Sequence, residues 1–330
     1  MKKKQSLKRF RRALRAPFEK AGVALACSLI PRLSLKSIMR LSRFIAGLAF
    51  LFDRYGCRVA AANLEIIAGR RLSKKRKRIL ILGAYRNMTR VLLMIFWMLK
   101  DTAARASEIV KISPALLKEL SNAHPAVTVS AHLGNWETLT QACENNGFHM
   151  VSVAKNVKGS GFTQRLLDAR RKIGQEIVPA EGALKHLFKA IKNGYSVGLL
   201  IDQHSEMRDG GIWIDFFGLK ACFSQGAAIL ARHFKRPIVF GWSRPLKDGS
   251  YRCELGKVFD AGQSADVSAC TISIIEEFQR VIKMHPSLWC INYRRWRYLI
   301  PGEEPSAYPF YAKPARAWQC PPVATESDRK

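Results

Sequence analysis

The densest chemistry in the chain is the string His132-Leu133-Gly134-Asn135-Trp136-Glu137. The residues before it, 126–131 (AVTVSA), predict a strand. An imidazole is therefore expected just past a strand's carboxyl end. Gly134 permits a tight turn, and a helix is predicted to begin near Asn135 and to close at Gly147. Glu137 falls in its first turn. A folded-back turn can bring that carboxylate to the far ring nitrogen of His132, fixing the tautomer and leaving the other nitrogen free. A histidine held this way is a general base for an alcohol, typically worth roughly 10²–10⁴-fold in rate. The helix N-terminus favours developing negative charge. A His and a Glu at this spacing also meet by chance, and a structural histidine at a helix start fits it as well.

Other candidates are sparser. Asp202 follows the apolar run 196–201 (SVGLLI), which predicts a central strand covered on both faces. Sheets of this kind place their sites at the carboxyl ends of strands, so Asp202 can anchor Arg171 or a substrate hydroxyl, or cap a loop. Arg171, next to Arg170, suits a phosphate or an oxyanion, or a solvated helix end. His204 is the one rival for a catalytic histidine; His124, His149, His186, His233 and His285 lack an oriented partner. Eight cysteines occur without a CxxC pair, so zinc ribbons and thioredoxin-like redox motifs are not expected, and neither metal nor cofactor is implied. With no cleavable leader evident, the thiols are expected to be reduced and cytosolic.

The elements that must carry these residues alternate. Strands are predicted at 126–131, 150–154, 175–178, 196–201, 237–241 and 251–255. Helices are predicted at 135–146, 162–173, 181–193, from Ser224 as N-cap to Phe234, and at 267–284. Upstream, 58–100 is helical in pattern, broken at Gly69. The order predicts an α/β fold, with a mostly parallel central sheet flanked by helices and an N-terminal interfacial membrane-anchoring helical segment. Three parts are expected: residues 1–55 as a basic arm with a membrane-associating helical segment, 56–305 as the α/β domain, and 306–330 as a loosely ordered tail.

Charge is concentrated at one end. The chain has 55 Lys/Arg against 25 Asp/Glu, a formal net charge of +30. Residues 1–100 hold 25 of the bases and only three acids, Glu19, Asp53 and Glu65. The apolar runs 21–30 and 44–52 (FIAGLAFLF) fall short of the roughly 18–20 residues that span a bilayer. Both suit a helix lying in an anionic membrane interface, or else buried core helices beside a solvated basic tail. No zinc finger, RNP-type string or basic zipper supports nucleic acid as a partner.

The string HLGNWE after a strand resembles the signature of the lauroyl/myristoyl acyltransferases of lipid A biosynthesis, within the wider lysophospholipid acyltransferase-like group. Further segments resemble that family in order: Arg58…Asn63-Leu64, Arg171-Lys172-Ile173-Gly174, Asn193-Gly194 with 197–203 (VGLLIDQ), Phe216-Phe217-Gly218 with Ala221 and Ser224, and Pro286…Trp289…Arg294-Arg295-Trp296-Arg297. The match departs at Leu288, Ile291 and Tyr293, and at 154–157.

The resemblance implies a glycerolipid acyltransferase-like fold at the cytoplasmic face of the inner membrane. It implies transfer of an acyl chain from an acyl carrier protein thioester, less readily from coenzyme A, to a hydroxyl of a phosphorylated lipid A precursor. His132 and Glu137 become the catalytic pair, and Asn63, Asn135, Arg171 and Asp202 candidates for substrate or oxyanion binding. Asn135 and Trp136 would shape the turn and wall an acyl tunnel. Trp289 and Trp296 are expected to serve packing. Neighbouring expectations are another acceptor glycolipid (a phosphatidylinositol mannoside or ornithine lipid), a thioester hydrolase using the same residues, and a non-enzymatic basic membrane or nucleic-acid binding module.

Overall fold

The computed structural model describes residues 17, 20–154, 167, 168, 170, 171 and 175–320. Seven strands form the central sheet: β1 (Val110–Ile112), β2 (Val127–Ser130), β3 (Met150–Ala154), β4 (Glu176–Pro179), β5 (Ser196–Leu200), β8 (Pro237–Pro245) and β9 (Tyr251–Asp260). Their order is β1-β9-β8-β2-β5-β3-β4, and every neighbouring pair is parallel except β8 with β9. The mostly parallel α/β sheet read from the sequence is therefore the fold. Parallel strands must be covered on both faces. Accordingly Val127, Val129, Val197, Ile238 and Phe240 are buried in one continuous core with residues of the surrounding helices.

The helices around the sheet include α1 (Leu35–Phe52), α2 (Arg54–Ala68), α3 (Lys74–Trp97), α4 (Thr102–Ile109), α5 (Pro114–Ala123), α6 (Glu137–Asn145), α7 (Ala183–Lys192), α8 (Gly226–Phe234) and α9 (Val267–Met284). Their ends follow local chemistry. Ser34, Ser73, Ser113 and Asp266 each accept a backbone N–H of the first turn, and α2 stops at Gly69 in the left-handed region. The helix predicted over 162–173 lies mostly outside the described residues; 167, 168, 170 and 171 are helical. The helix predicted from Ser224 begins instead at Gly226, where the Ser224 hydroxyl accepts that residue's N–H at 3.2 Å.

A second small sheet, not anticipated from the sequence, is the hairpin of β6 (Gly211–Phe216) and β7 (Leu219–Ser224). Its two-residue turn has positive φ at Phe217 and Gly218. Strands β10 (Tyr298–Leu299) and β11 (Lys313–Pro314) pair in parallel. That pairing corrects the expectation of a loose tail as far as Cys320. Tyr308 and Tyr311 are buried, and the Trp213 indole donates to the Gln319 carbonyl at 2.9 Å. Aromatic burial supplies the reason that a Pro-rich segment packs here.

The N-terminal region is helical at 20–29, turns at Ile30–Arg32 and restarts as α1. Leu25, Leu29, Phe44, Leu48, Leu51, Phe52, Tyr55 and Ile79 are exposed there. Helix α3 is long and apolar enough to cross a membrane by length and composition, although 44% of its apolar window is buried within the protein. Its polar residues Asn87 and Arg90 are buried and donate to carbonyls of Gly134 and Leu288, and of Gly249 and Ser250, respectively.

Candidate active site

Strands β2 and β5 are parallel neighbours with Ser130 opposite Leu200. The second residue past each end is His132 and Asp202. This register joins two groups 70 positions apart: the His132 Nδ1–H donates to Asp202 Oδ1 at 2.7 Å. The other oxygen of Asp202 accepts the Trp289 indole N–H at 2.8 Å. Asp202 is 2% exposed, so its charge is held by these donors and shielded from water.

The protonation balance follows from this pairing. Burial alone would depress the His132 pKa, but the charge and hydrogen bond of Asp202, and the charge of Glu137, outweigh it and hold the ring above its ordinary value of 6.5. Burial alone would raise Asp202, but the His132 and Trp289 contacts outweigh it and hold the carboxyl below the usual range. Because a carboxylate only accepts, Nδ1 carries the proton and the neutral ring presents its lone pair at Nε2. Gln203 Nε2 lies 3.2 Å from that atom. Trp136 tilts against the ring with centroids 4.8 Å apart.

The expected contact between Glu137 and the ring is corrected here. Arg170 takes that carboxylate through Nε at 3.1 Å and Nη2 at 2.6 Å. A planar guanidinium offers a two-point match that outcompetes a folded-back turn. Glu137 still adds negative potential near the imidazole from the first turn of α6.

The turn carrying His132 is locked from three directions. Gly134 has φ +65°, and a Cβ there would lie 1.5 Å from the Ser243 carbonyl oxygen, so only glycine fits. Its N–H donates to the Leu288 carbonyl at 2.9 Å, and Cys290 N–H donates to the His132 carbonyl at 3.0 Å. Asn87 clamps both strands of this contact, donating to Gly134 O at 3.1 Å and Leu288 O at 3.0 Å. Thr138 ties α6 to β8 through Ser243 at 2.8 Å. Trp289 thus does more than the packing expected of it, whereas Trp296 donates to the Phe216 carbonyl and stacks on that ring.

The remaining predicted residues separate from this centre. Asn63 is fully buried, donates to the Ile291 and Tyr293 carbonyls at 2.7 and 2.8 Å, and accepts from Tyr311 Oη. Its amide is spent on holding the C-terminal segment, which corrects its reading as an oxyanion donor. Asn135 is buried and its carbonyl accepts the Thr138 hydroxyl at 2.6 Å, so it shapes the start of α6. Arg171 is exposed and pairs with Asp168 at 3.3 Å; Arg170 is the arginine turned to the site. Residue pattern alone does not single out Arg170, because helical phase decides which of two adjacent arginines faces inward.

The sequence profile of the bacterial lipid A biosynthesis acyltransferases matches residues 5–298. The chain belongs to that family. It is also similar to a phosphatidylinositol mannoside acyltransferase of Mycobacterium tuberculosis, 24% identical over 184 residues, covering 52% of this chain and 54% of the relative. A phosphatidylinositol mannoside acyltransferase of Mycolicibacterium smegmatis is 22% identical over 175 residues, covering 52% and 56%. The chain thus spans about half the length of the curated relatives it matches. The family match covers the whole of the His132–Asp202 site and its Trp289 support.

Proposed function

We propose that this protein is an O-acyltransferase in which His132, oriented by Asp202, is the general base. The single observation that carries the reading is the 2.7 Å Nδ1–Asp202 contact, with the lone pair of Nε2 directed away from the carboxylate. The acceptor hydroxyl gives its proton to His132 Nε2 as its oxygen attacks a thioester carbonyl. Electrons move to the carbonyl oxygen, the tetrahedral intermediate collapses, and the thiolate leaves with the proton returned from the ring. The ion pair with Asp202 stabilises the imidazolium between those steps.

The donor in this reading is an acyl carrier protein, whose acidic surface suits the basic N-terminal third. The acceptor is a lipid A precursor at the cytoplasmic face of the inner membrane. Support for a membrane surface comes from Phe44, Leu51, Phe52, Tyr55 and Ile79, all exposed on elements that also carry Arg40, Arg43, Arg54 and the basic start of α3. A second acceptor class, a mannosylated phosphatidylinositol, is favoured by the names of the mycobacterial relatives.

Mass spectrometry of lipids from cells with the gene, without it, and with His132→Ala tests the assignment. One acyl unit gained on a glycolipid only with the wild-type gene supports it and names the acceptor. An identical lipid profile in all three strains contradicts it.

A further inference from the structure

The reacting nitrogen of the proposed base is already occupied. Because Nδ1–H is committed to Asp202, the neutral ring has only an acceptor at Nε2, and the group 3.2 Å from it is the Gln203 side-chain amide. An amide N–H is a donor, so the two match in kind. Gln203 directly follows Asp202 at the end of β5, so the element that orients one ring nitrogen also delivers the cap on the other. We propose that Gln203 is a catalytic residue that holds the place of the acceptor hydroxyl and, once displaced by it, donates its amide N–H to the thioester oxygen as negative charge develops there.

The displacement has a simple geometry. An arriving hydroxyl must take the position at Nε2 to lose its proton. The Gln203 amide then leaves a lone pair it can no longer bond, while its backbone remains fixed beside Asp202. The attacked carbonyl carbon must lie within bonding reach of the hydroxyl oxygen. Its own oxygen therefore falls within a few ångströms of the freed amide, at the point where a donor is needed. Asn63 is committed elsewhere and Arg170 is held by Glu137, whereas Gln203 presents an uncharged amide donor 3.2 Å from the reacting nitrogen.

In the resting enzyme the same contact stabilises the neutral ring. The charged groups facing that ring are Asp202 at Nδ1 and Glu137, itself paired with Arg170; Arg295 acts on Asp202 from the 294–297 segment. Loss of the Gln203 donor removes a preference for the unprotonated form and leaves these charges unchanged.

This inference rests on the acyl-transfer reading, and the test separates the two. Full-length wild-type, Gln203→Ala and isosteric Gln203→Glu proteins are compared by titrating the His132 ring by NMR and by steady-state acyl transfer. Two results support the role. The His132 pKa rises in Gln203→Ala and more in Gln203→Glu, and kcat falls by roughly 10²–10³-fold in both with KM nearly unchanged. An unmoved His132 titration with wild-type kcat in Gln203→Ala overturns the inference, even while His132→Ala is inactive. If wild-type protein transfers no acyl group yet the titration shifts, the acyl-transfer reading fails and the oxyanion role falls with it, leaving only the cap. Matching circular dichroism and thermal unfolding of the Gln203→Glu protein exclude loss of fold as the cause.

Discussion

His132 and His204 lie just past the carboxyl ends of the neighbouring strands β2 and β5, each beside a carboxylate, and their surroundings drive them in opposite directions. His132 meets Asp202 at 2.7 Å, and the nearby Glu137 adds negative charge. His204 meets Glu206 at only 3.5 Å, in the company of Arg295 and Arg297. Burial disfavours the cation at both. At His132 the carboxylates overcome it and the ring stays above 6.5; at His204 burial, helped by the two arginines, takes the ring down to about 4. A carboxylate near an imidazole is therefore not enough to make a base. The net sign of the buried field and the length of the contact decide.

The strongest way to break this contrast is to remove each ring in turn. His132→Ala is expected to lower kcat by about 10³-fold or more, and His204→Gln by less than about threefold, both measured as acyl transfer with fold checked by circular dichroism. Equal losses would mean that the two sites are not distinguished as described. Next comes Asp202→Asn, which keeps the shape but offers no charge and can present the wrong hydrogen-bonding group to Nδ1. A loss of roughly 10²–10⁴-fold is expected. Its pH profile gives the sign. A general base works when unprotonated, so a raised His132 pKa sets the acid limb of kcat/KM above 6.5 in the wild type. Without Asp202, burial dominates and the limb moves to lower pH.

A smaller effect than at His132 or Asp202 is expected at Glu137→Gln. Arg170 loses its charged partner but keeps an acceptor, so kcat should fall less than about tenfold, with about 1–2 kcal/mol of stability lost in thermal unfolding. A larger catalytic loss than Asp202→Asn would return the orienting role to Glu137.

Local chemistry made much of the fold legible. The strand ending before His132, the helix Val267–Met284 and the break at Gly69 all follow from short-range pattern and match the structure. The β6–β7 hairpin escaped because its turn residues, Phe217 and Gly218, interrupt neither strand with polar or proline signals. The site was legible in its parts but not in its pairing. Both His132 and Asp202 could be placed at strand ends. That those strands are adjacent and in register is a long-range fact, fixed by packing between segments 70 residues apart. Glu137 was the near carboxylate in sequence, and Arg170, invisible to spacing, claims it. Trp289 came to Asp202 through the same kind of distant contact, with Asn87 and Gly134 holding the two segments together.

The pairing of His132 with Asp202 is tested most directly by NMR titration of the His132 ring in wild-type, Asp202→Asn and Glu137→Gln proteins. A wild-type pKa above 6.5 is expected, with a fall below that value in Asp202→Asn and a smaller fall in Glu137→Gln. A larger fall in Glu137→Gln than in Asp202→Asn would contradict that pairing.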